Sequence, residues 1–283
     1  KENIEELFIK FKKLNIPIDA VIHLGGLKDI RESIDNPIKY WQNNVTGTLN
    51  LVEVMKKNNC HTIVFSSSAS IYDASFSNLL TENAPKSPIN PYGETKLAIE
   101  HILEELFQTN KDLWRISFLR YFNPAGAHPS GVIGEYPKKN TLNIIPLINR
   151  IVSGESAVLK IFGSDWPTKD GTCIRDYIHV MDLAEAHVLA LDYLFKEKPQ
   201  ILKLNIGTGI GTSINELIQN YEITNGFKIP KIYTKRRLGD YPIVVADISK
   251  ACKMLNWSPK RNLNSICKDS WNFYKLNYKK NLK

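Results

Sequence analysis

Asn90-Pro-Tyr-Gly-Glu-Thr-Lys96 sets a phenol and an ammonium four residues apart, and the reading of this stretch decides the fold. Asn90 suits a helix N-cap and Pro91 the first helical position. Leu97, Ile99, Ile102, Leu103 and Leu106 then recur at helical period, which predicts a helix to about Gln108. Residues four apart in a helix share one face, so Tyr92 and Lys96 stand side by side. A free tyrosine has a pKa of about 10 and is a poor base at neutral pH unless positive charge favours its phenolate. Lowering that pKa by about three units takes ~4 kcal/mol, a demand better met by a lysine together with a cationic nicotinamide than by a lysine alone. The spacing points to NAD; the competing reading is a surface Tyr-x-x-x-Lys with no role.

Working outward, Thr62-Ile-Val-Phe-Ser-Ser-Ser68 reads as a short buried strand that runs out into hydroxyls, where an open α/β sheet places its ligands. Ser68 is therefore expected to meet Tyr92. Residues Glu2 to Lys13 are helical in period through Ile4, Leu7, Phe8 and Phe11. A buried strand, Ile18 to Leu24, follows and is turned by Gly25-Gly26-Leu27-Lys28. A long helix from about Pro37 to Asn58 and a strand from Arg115 to Phe122 complete an alternating series, which implies a parallel sheet with helices on both faces.

At 283 residues and 43% hydrophobic content, the chain can bury one large core or two modest ones. No apolar run approaches a membrane span and no leader pattern opens the sequence, so the expectation is a cytoplasmic protein with no membrane partner. Cys60, Cys173, Cys252 and Cys267 are scattered without a Cys-x-x-Cys pair, which fits reduced thiols and gives no metal site. The 37 Lys and Arg exceed the 29 Asp and Glu by eight, but the charge is dispersed, so no nucleic-acid partner is expected. The one dense run, Lys275 to Lys283, reads as a solvated tail.

Two long stretches carry a resemblance: Arg120-Tyr-Phe-Asn-Pro-Ala-Gly-Ala-His-Pro-Ser-Gly131, and the run from Phe162-Gly-Ser-Asp-Trp through Cys173-Ile-Arg-Asp-Tyr-Ile-His-Val-Met-Asp182 to His187. With Ser68, Tyr92, Lys96, Asn43-Asn-Val-Thr-Gly-Thr48 and Arg236-Arg-Leu-Gly-Asp240, they resemble the extended short-chain dehydrogenase/reductases. Within these the likeness is to the UDP-glucose 4-epimerases, from about Ile18 to Trp271. Minor departures are Gly25, Asp73 and Tyr136, where the family usually carries alanine, glycine and an acid.

The resemblance implies an α/β fold with a Rossmann-type doubly wound parallel sheet and a smaller C-terminal α/β substrate domain. The expected division is an NAD-binding domain over 1–123 and a mainly nucleotide-sugar-binding domain over 124–283, with segments around 177–212 returning to the first. A dinucleotide fold opens with a strand, a glycine-rich phosphate loop and a helix, yet this sequence starts inside a later helix without Met. The expectation is an N-terminally incomplete chain whose sheet edge along Val21 to Leu24 is exposed. Gly207-Thr-Gly-Ile-Gly211 is not that loop: its spacing is wrong and Ser213 suits a helix N-cap, so it reads as a structural turn.

By resemblance, Ser68, Tyr92 and Lys96 are the catalytic residues, and Lys28, Asn43 and Phe122 join them on the cofactor side. Arg175 and Arg237 are candidates for a nucleotide diphosphate, which needs fixed guanidinium groups; the alternative is Arg-Asp pairing with Asp176 or Asp240. Asn123 and Asn143 resemble substrate-contacting amides, Phe162 a uracil-packing ring, and Asp240 and Val244 further substrate contacts. The implied reaction is C4 epimerisation of UDP-glucose and UDP-galactose through a 4-keto sugar, with NAD reused. Ser68 is followed by Ala69 and Ser70 with no Asp-Glu pair, which disfavours a 4,6-dehydratase. Valine at 244, where related enzymes carry a bulky aromatic, implies room for N-acetylated sugars. Apolar residues beyond one face on helices 37–58 and 88–108 imply a homodimer. The reading from a different class is a catalytically silent binding or scaffold protein.

Overall fold

The computed structural model describes residues 1–135, 143–237 and 239–278; Tyr136 and the lysine-bearing end 279–283 lie outside them. In chain order the first half runs α1 (Glu2–Lys13), β1 (Ala20–His23), α2 (Ile30–Asp35), α3 (Pro37–Tyr40), a π-helical turn (Trp41–Thr46) and α4 (Gly47–Lys57). It continues through β2 (Thr62–Ser68), β3 (Leu79–Leu80), α5 (Pro91–Thr109), β4 (Arg115–Tyr121) and β5 (Asn123–Ala125). Then come α6 (Ile144–Val152), β6 (Leu159–Phe162), β7 (Ile174–His179), α7 (Val180–Lys196), β8 (Ile201–Ile206), β9 (Gly211–Ser213) and α8 (Ile214–Asn225). The last elements are β10 (Lys231–Thr234), β11 (Ile243–Ala246), α9 (Ser249–Leu255) and α10 (Leu263–Tyr278).

The first sheet is parallel in the order β1-β2-β4-β8. Alternation along its strands sorts side chains to two faces. Ile63, Phe65 and Phe118 pack with Ile99 and Leu103 of α5 and with Val52 and Met55 of α4. Val64, Leu119 and Leu204 pack on the other face with Leu183, Ala186 and Ala190 of α7. β8 returns to this sheet from the far side of β7, pairing Ile116 with Ile201 through Tyr121 with Ile206. A second sheet orders β3-β11-β7-β5 with β9 antiparallel to β7, and β10 pairs with β6 alone. Beside them Ile148 of α6, Leu217 and Tyr221 of α8, and Ile266 and Cys267 of α10 make a third core.

Three expected elements differ in detail. The strand over Ile18 to Leu24 is confined to Ala20–His23 at the edge of the sheet, with Leu24 just beyond it 62% exposed. The helix from Pro37 to Asn58 contains the π turn, which shifts its faces by one residue midway. The run from Lys275 begins inside α10, whose last turn holds Lys275, so its first residues are helix and not tail. The turn at Gly207–Gly211 wraps the buried Asp176 carboxylate, which accepts from Thr208 N at 2.7 Å, Gly209 N at 2.9 Å and Ala246 N at 3.2 Å. Ser213 then caps α8 in a reciprocal capping box with Glu216.

Candidate active site

β2 ends in three consecutive serines, and α5 begins where Asn90 accepts from Gly93 N at 2.9 Å with Pro91 at its first position. This junction, at the C-terminal edge of a parallel sheet, brings Ser68 beside the Tyr92 phenol, close enough to act on its ionisation. Burial raises the Tyr92 pKa, and the Ser68 hydrogen bond opposes that shift. Lys96 is 3% exposed; its ammonium donates to the Ser66 carbonyl at 2.7 Å and lies 4.9 Å from the Phe65 ring centroid and 5.8 Å from that of Tyr92. Burial pulls the Lys96 pKa down to about 8.

An ammonium has three protons to donate, and Ser66 is the one hydrogen-bond acceptor found for Lys96 among the described residues. Opposite it the backbone of Gly26 comes so close that a Cβ there would lie 3.6 Å from Lys96 Nζ and 3.3 Å from Asn44 Oδ1. Buried donors facing a bare glycine backbone fit the ribose of a nicotinamide nucleotide, which offers hydroxyls at that range. His23 lines the same corner. Its Nε2 meets Thr48 Oγ1 at 2.8 Å, and burial, with Lys96 adding to it, pulls its pKa down to about 4, so it is neutral.

Two expected cofactor-side residues face solvent. Lys28 is exposed and pairs with Glu135 at 2.7 Å. Asn43 is exposed and donates to Asn44 Oδ1 at 3.0 Å. Asn44 is the buried amide: it accepts from Leu27 N at 2.7 Å and donates to Leu27 O at 3.0 Å and Thr95 Oγ1 at 3.2 Å. It thus ties the Gly25–Lys28 turn to the helix turn between Tyr92 and Lys96. Sequence reading missed it because the π turn decides which of two adjacent asparagines faces inward. Also unforeseen is Tyr121, which hydrogen-bonds His187 and lies close enough to Tyr92 to feel its charge. Phe122 is buried against Ile71, Tyr72 and Leu80.

A second group gathers where β6, β7 and the chain after β10 meet. The Arg237 guanidinium lies 3.7 Å from the Phe162 ring centroid. Arg175 donates to the carbonyls of Ile174 and Tyr241, each at 2.9 Å, and pairs with Asp240 at 3.5 Å. Burial lowers the Arg237 pKa; Asp240 opposes this, while Arg31 and Arg175 add to it. Three guanidinium groups with one carboxylate among them leave positive charge for an anion. Asp176 takes no part, being held in the glycine turn. Asn123 starts β5 opposite Tyr177, Asn143 is an exposed residue just before α6, and Val244 pairs opposite Arg175 on β11. Among the described residues there is no cluster of three or more His, Cys, Asp or Glu that could hold a metal, and no helix is long and apolar enough to cross a membrane.

Residues 4–207 match the model of the NAD dependent epimerase/dehydratase family. The chain belongs to this family. Among curated members of the epimerase family, UDP-glucose 4-epimerase 2 of Oryza sativa subsp. japonica is 45% identical over 260 residues, which are 92% of this chain and 64% of that protein. UDP-glucose 4-epimerase of Bacillus subtilis (strain 168) is also 45% identical over 260 residues, covering 92% of this chain and 76% of that protein. Among solved structures, UDP-glucose-4-epimerase from Stenotrophomonas maltophila with bound NAD and formylated UDP-arabinopyranose superposes with a TM-score of 0.92 at 39% identity, covering 98% of this chain and 82% of the other. The epimerase from Bifidobacterium longum, in complex with NAD+ and UDP, gives 0.89 at 40% identity, covering 97% and 82%.

Proposed function

We propose that the protein carrying this chain interconverts UDP-glucose and UDP-galactose by inverting C4 of the bound hexose. The observation that carries the reading is the Tyr92 phenol, with Ser68 beside it and the buried Lys96 ammonium behind it at the edge of the sheet. Arg175 and Arg237 hold the diphosphate, Phe162 packs beside the uridine, and Asn123 and Asn143 contact the sugar nucleotide. With the diphosphate anchored, the hexose can present either face to the same site. The relatives named UDP-glucose 4-epimerase, at 42–45% identity, support the same reaction.

Lys96, Asn43, Asn44 and Phe122 would hold NAD, which when bound would supply reversible hydride transfer at C4. Tyr92 takes the proton from the 4-hydroxyl, keeps it while C4 is a ketone and returns it when the alcohol is restored. Ser68 donates to the reacting oxygen and keeps it over Tyr92. Lys96 favours the phenolate by its charge and positions the ribose. Nothing is oxidised on balance. Measuring UDP-galactose formation from UDP-glucose tests this: Tyr92→Phe is expected to lose about 10²- to 10⁴-fold in kcat while still binding UDP. Full activity in that variant sinks the reading.

The reading extends to a cytoplasmic homodimer that also accepts UDP-N-acetylglucosamine and UDP-N-acetylgalactosamine. Exposed Ile38, Trp41 and Leu49 on the 37–57 helical stretch, beside half-buried Ile102 and Leu106 of α5, support self-association. Sedimentation at micromolar concentration is expected to give the dimer.

A further inference from the structure

We propose that Glu100 is a positioning residue that fixes Tyr92 and Lys96 over the strand-end serines, acting through a buried fork with Arg120. The proposal rests on the function argued above. Tyr92, Lys96 and Glu100 recur every four residues on one face of α5, and each meets one of three consecutive residues of β2. The Tyr92 phenol lies beside Ser68, Lys96 donates to the Ser66 carbonyl at 2.7 Å, and the Ser67 hydroxyl donates to Glu100 Oε1 at 2.6 Å.

Glu100 is 1% exposed and Arg120 fully buried. Arg120 donates from Nε to Oε1 at 2.9 Å and from Nη2 to Oε2 at 2.7 Å. Its Nη1 reaches the Tyr72 hydroxyl at 2.8 Å and the Glu82 carbonyl at 2.9 Å, and Tyr72 in turn donates to Asn205 Oδ1 at 2.6 Å. The fork therefore links α5 to β2, β4 and β8 at once.

A buried ion pair is weak evidence for stability, because desolvation offsets most of the attraction. Docking of α5 is already served by Ile99 and Leu103, which pack on Phe65 and Phe118. Apolar packing is non-directional and leaves the helix free to slide or roll by a fraction of an ångström. A two-pronged guanidinium–carboxylate contact has one geometry. Glu100 supplies what the apolar face lacks, a fixed register along the strand, two turns from the phenol that must be aligned.

The test uses the full-length protein loaded with NAD. Glu100→Gln is expected to lower kcat about tenfold to a hundredfold, with KM for UDP-glucose changed by less than about twofold, since misplacement by about an ångström costs that much at a reacting centre. In a Tyr92→Phe background the same change should cost much less than in the wild type, because Glu100 acts chiefly through Tyr92 and the remainder through Lys96. The Tyr92 phenol, titrated by ultraviolet difference absorbance against Tyr92→Phe, should ionise at higher pH in Glu100→Gln as the Ser68 bond loosens. A shift to lower pH would mark the unpaired Arg120 cation acting as a charge and would overturn the proposal, as would an additive loss or an unchanged kcat. Ser67→Ala removes only one contact and is expected to give a smaller fall in kcat at unchanged KM, which serves if the Gln variant fails to fold. A wild-type protein that does not epimerise defeats the functional reading instead, and the Tyr92 titration, which needs no turnover, still decides the positioning role.

Discussion

Gly93 lies against Ser70 so closely that a Cβ on it would sit 2.5 Å from the Ser70 carbonyl oxygen and 3.0 Å from Pro88 Cβ. The first contact is backbone, which cannot swing aside. Gly93→Ala must therefore lift the first turn of α5 from the end of β2 and draw Tyr92 off Ser68. Overpacking of this kind costs about 1–3 kcal/mol. The expected outcome is a lower midpoint in denaturant unfolding together with a kcat reduced by at least about tenfold. Unchanged kcat in a folded Gly93→Ala variant would contradict the Ser68–Tyr92 alignment.

That junction was legible in the sequence because every signal in it is local. The N-cap asparagine, the proline after it, the helical period and the apolar run ending in serines each specify backbone within a few residues. The turn around Asp176 was legible for the same reason, through Ser213 and the wrong glycine spacing. What could not be read were partners distant in the chain. Lys28 finds Glu135 107 residues away, and Arg120 finds Glu100 across a helix-to-strand crossing. Asn43 and Asn44 are indistinguishable by period, because the π turn between α3 and α4 adds a residue and rotates the inward face.

Lys96 makes the NAD-free protein's stability depend on pH with a definite sign. Its folded pKa, about 8, lies below the ordinary lysine value because burial disfavours the ammonium. Below pH 8 the native state carries the full cost of burying that charge. Between about 8 and 10 the native lysine loses its proton while the unfolded one keeps it, so the unfolded chain binds more protons and this contribution rises with pH. The whole effect is on the order of 3 kcal/mol. Denaturant unfolding of wild type against Lys96→Met from pH 7 to 10 is expected to show the difference shifting in favour of wild type as pH rises. A flat difference would mean that the ammonium is not desolvated.

The Arg237 guanidinium carbon lies over the Phe162 ring at 3.7 Å, a close approach suited to a planar cation. Arg237→Lys keeps the charge but loses the plane and the two-pronged donor set. A charge-assisted hydrogen bond contributes about 1.5–3 kcal/mol, so KM for UDP-glucose should rise about tenfold or more. A diphosphate bound by Arg237 as proposed is held equally in ground and transition states, so kcat should change little. A fall in kcat at constant KM would place Arg237 with the reacting atoms instead.

Under the proposed function, the size of Val244 is expected to set substrate breadth. It lies on β11 opposite Arg175, half-buried, and packs against the cluster that contains Ile71, Tyr72 and Phe122. Val244 thus links the strand that carries Arg175 to the cluster that holds Phe122. In the epimerases that the sequence resembles, a bulky aromatic at this position leaves no room beside C2 of the sugar. Valine is smaller by most of a ring, and overpacking against a rigid acetamido group would cost about 1–3 kcal/mol, on the order of ten- to a hundredfold in rate. The native enzyme is therefore expected to process UDP-N-acetylglucosamine as well as UDP-glucose. Val244→Tyr should lower kcat/KM for the N-acetylated pair by that factor and leave the unacetylated pair within about threefold. A native enzyme that ignores the N-acetylated pair, or a tyrosine variant that accepts it equally well, would show that the side chain at 244 does not gate the pocket.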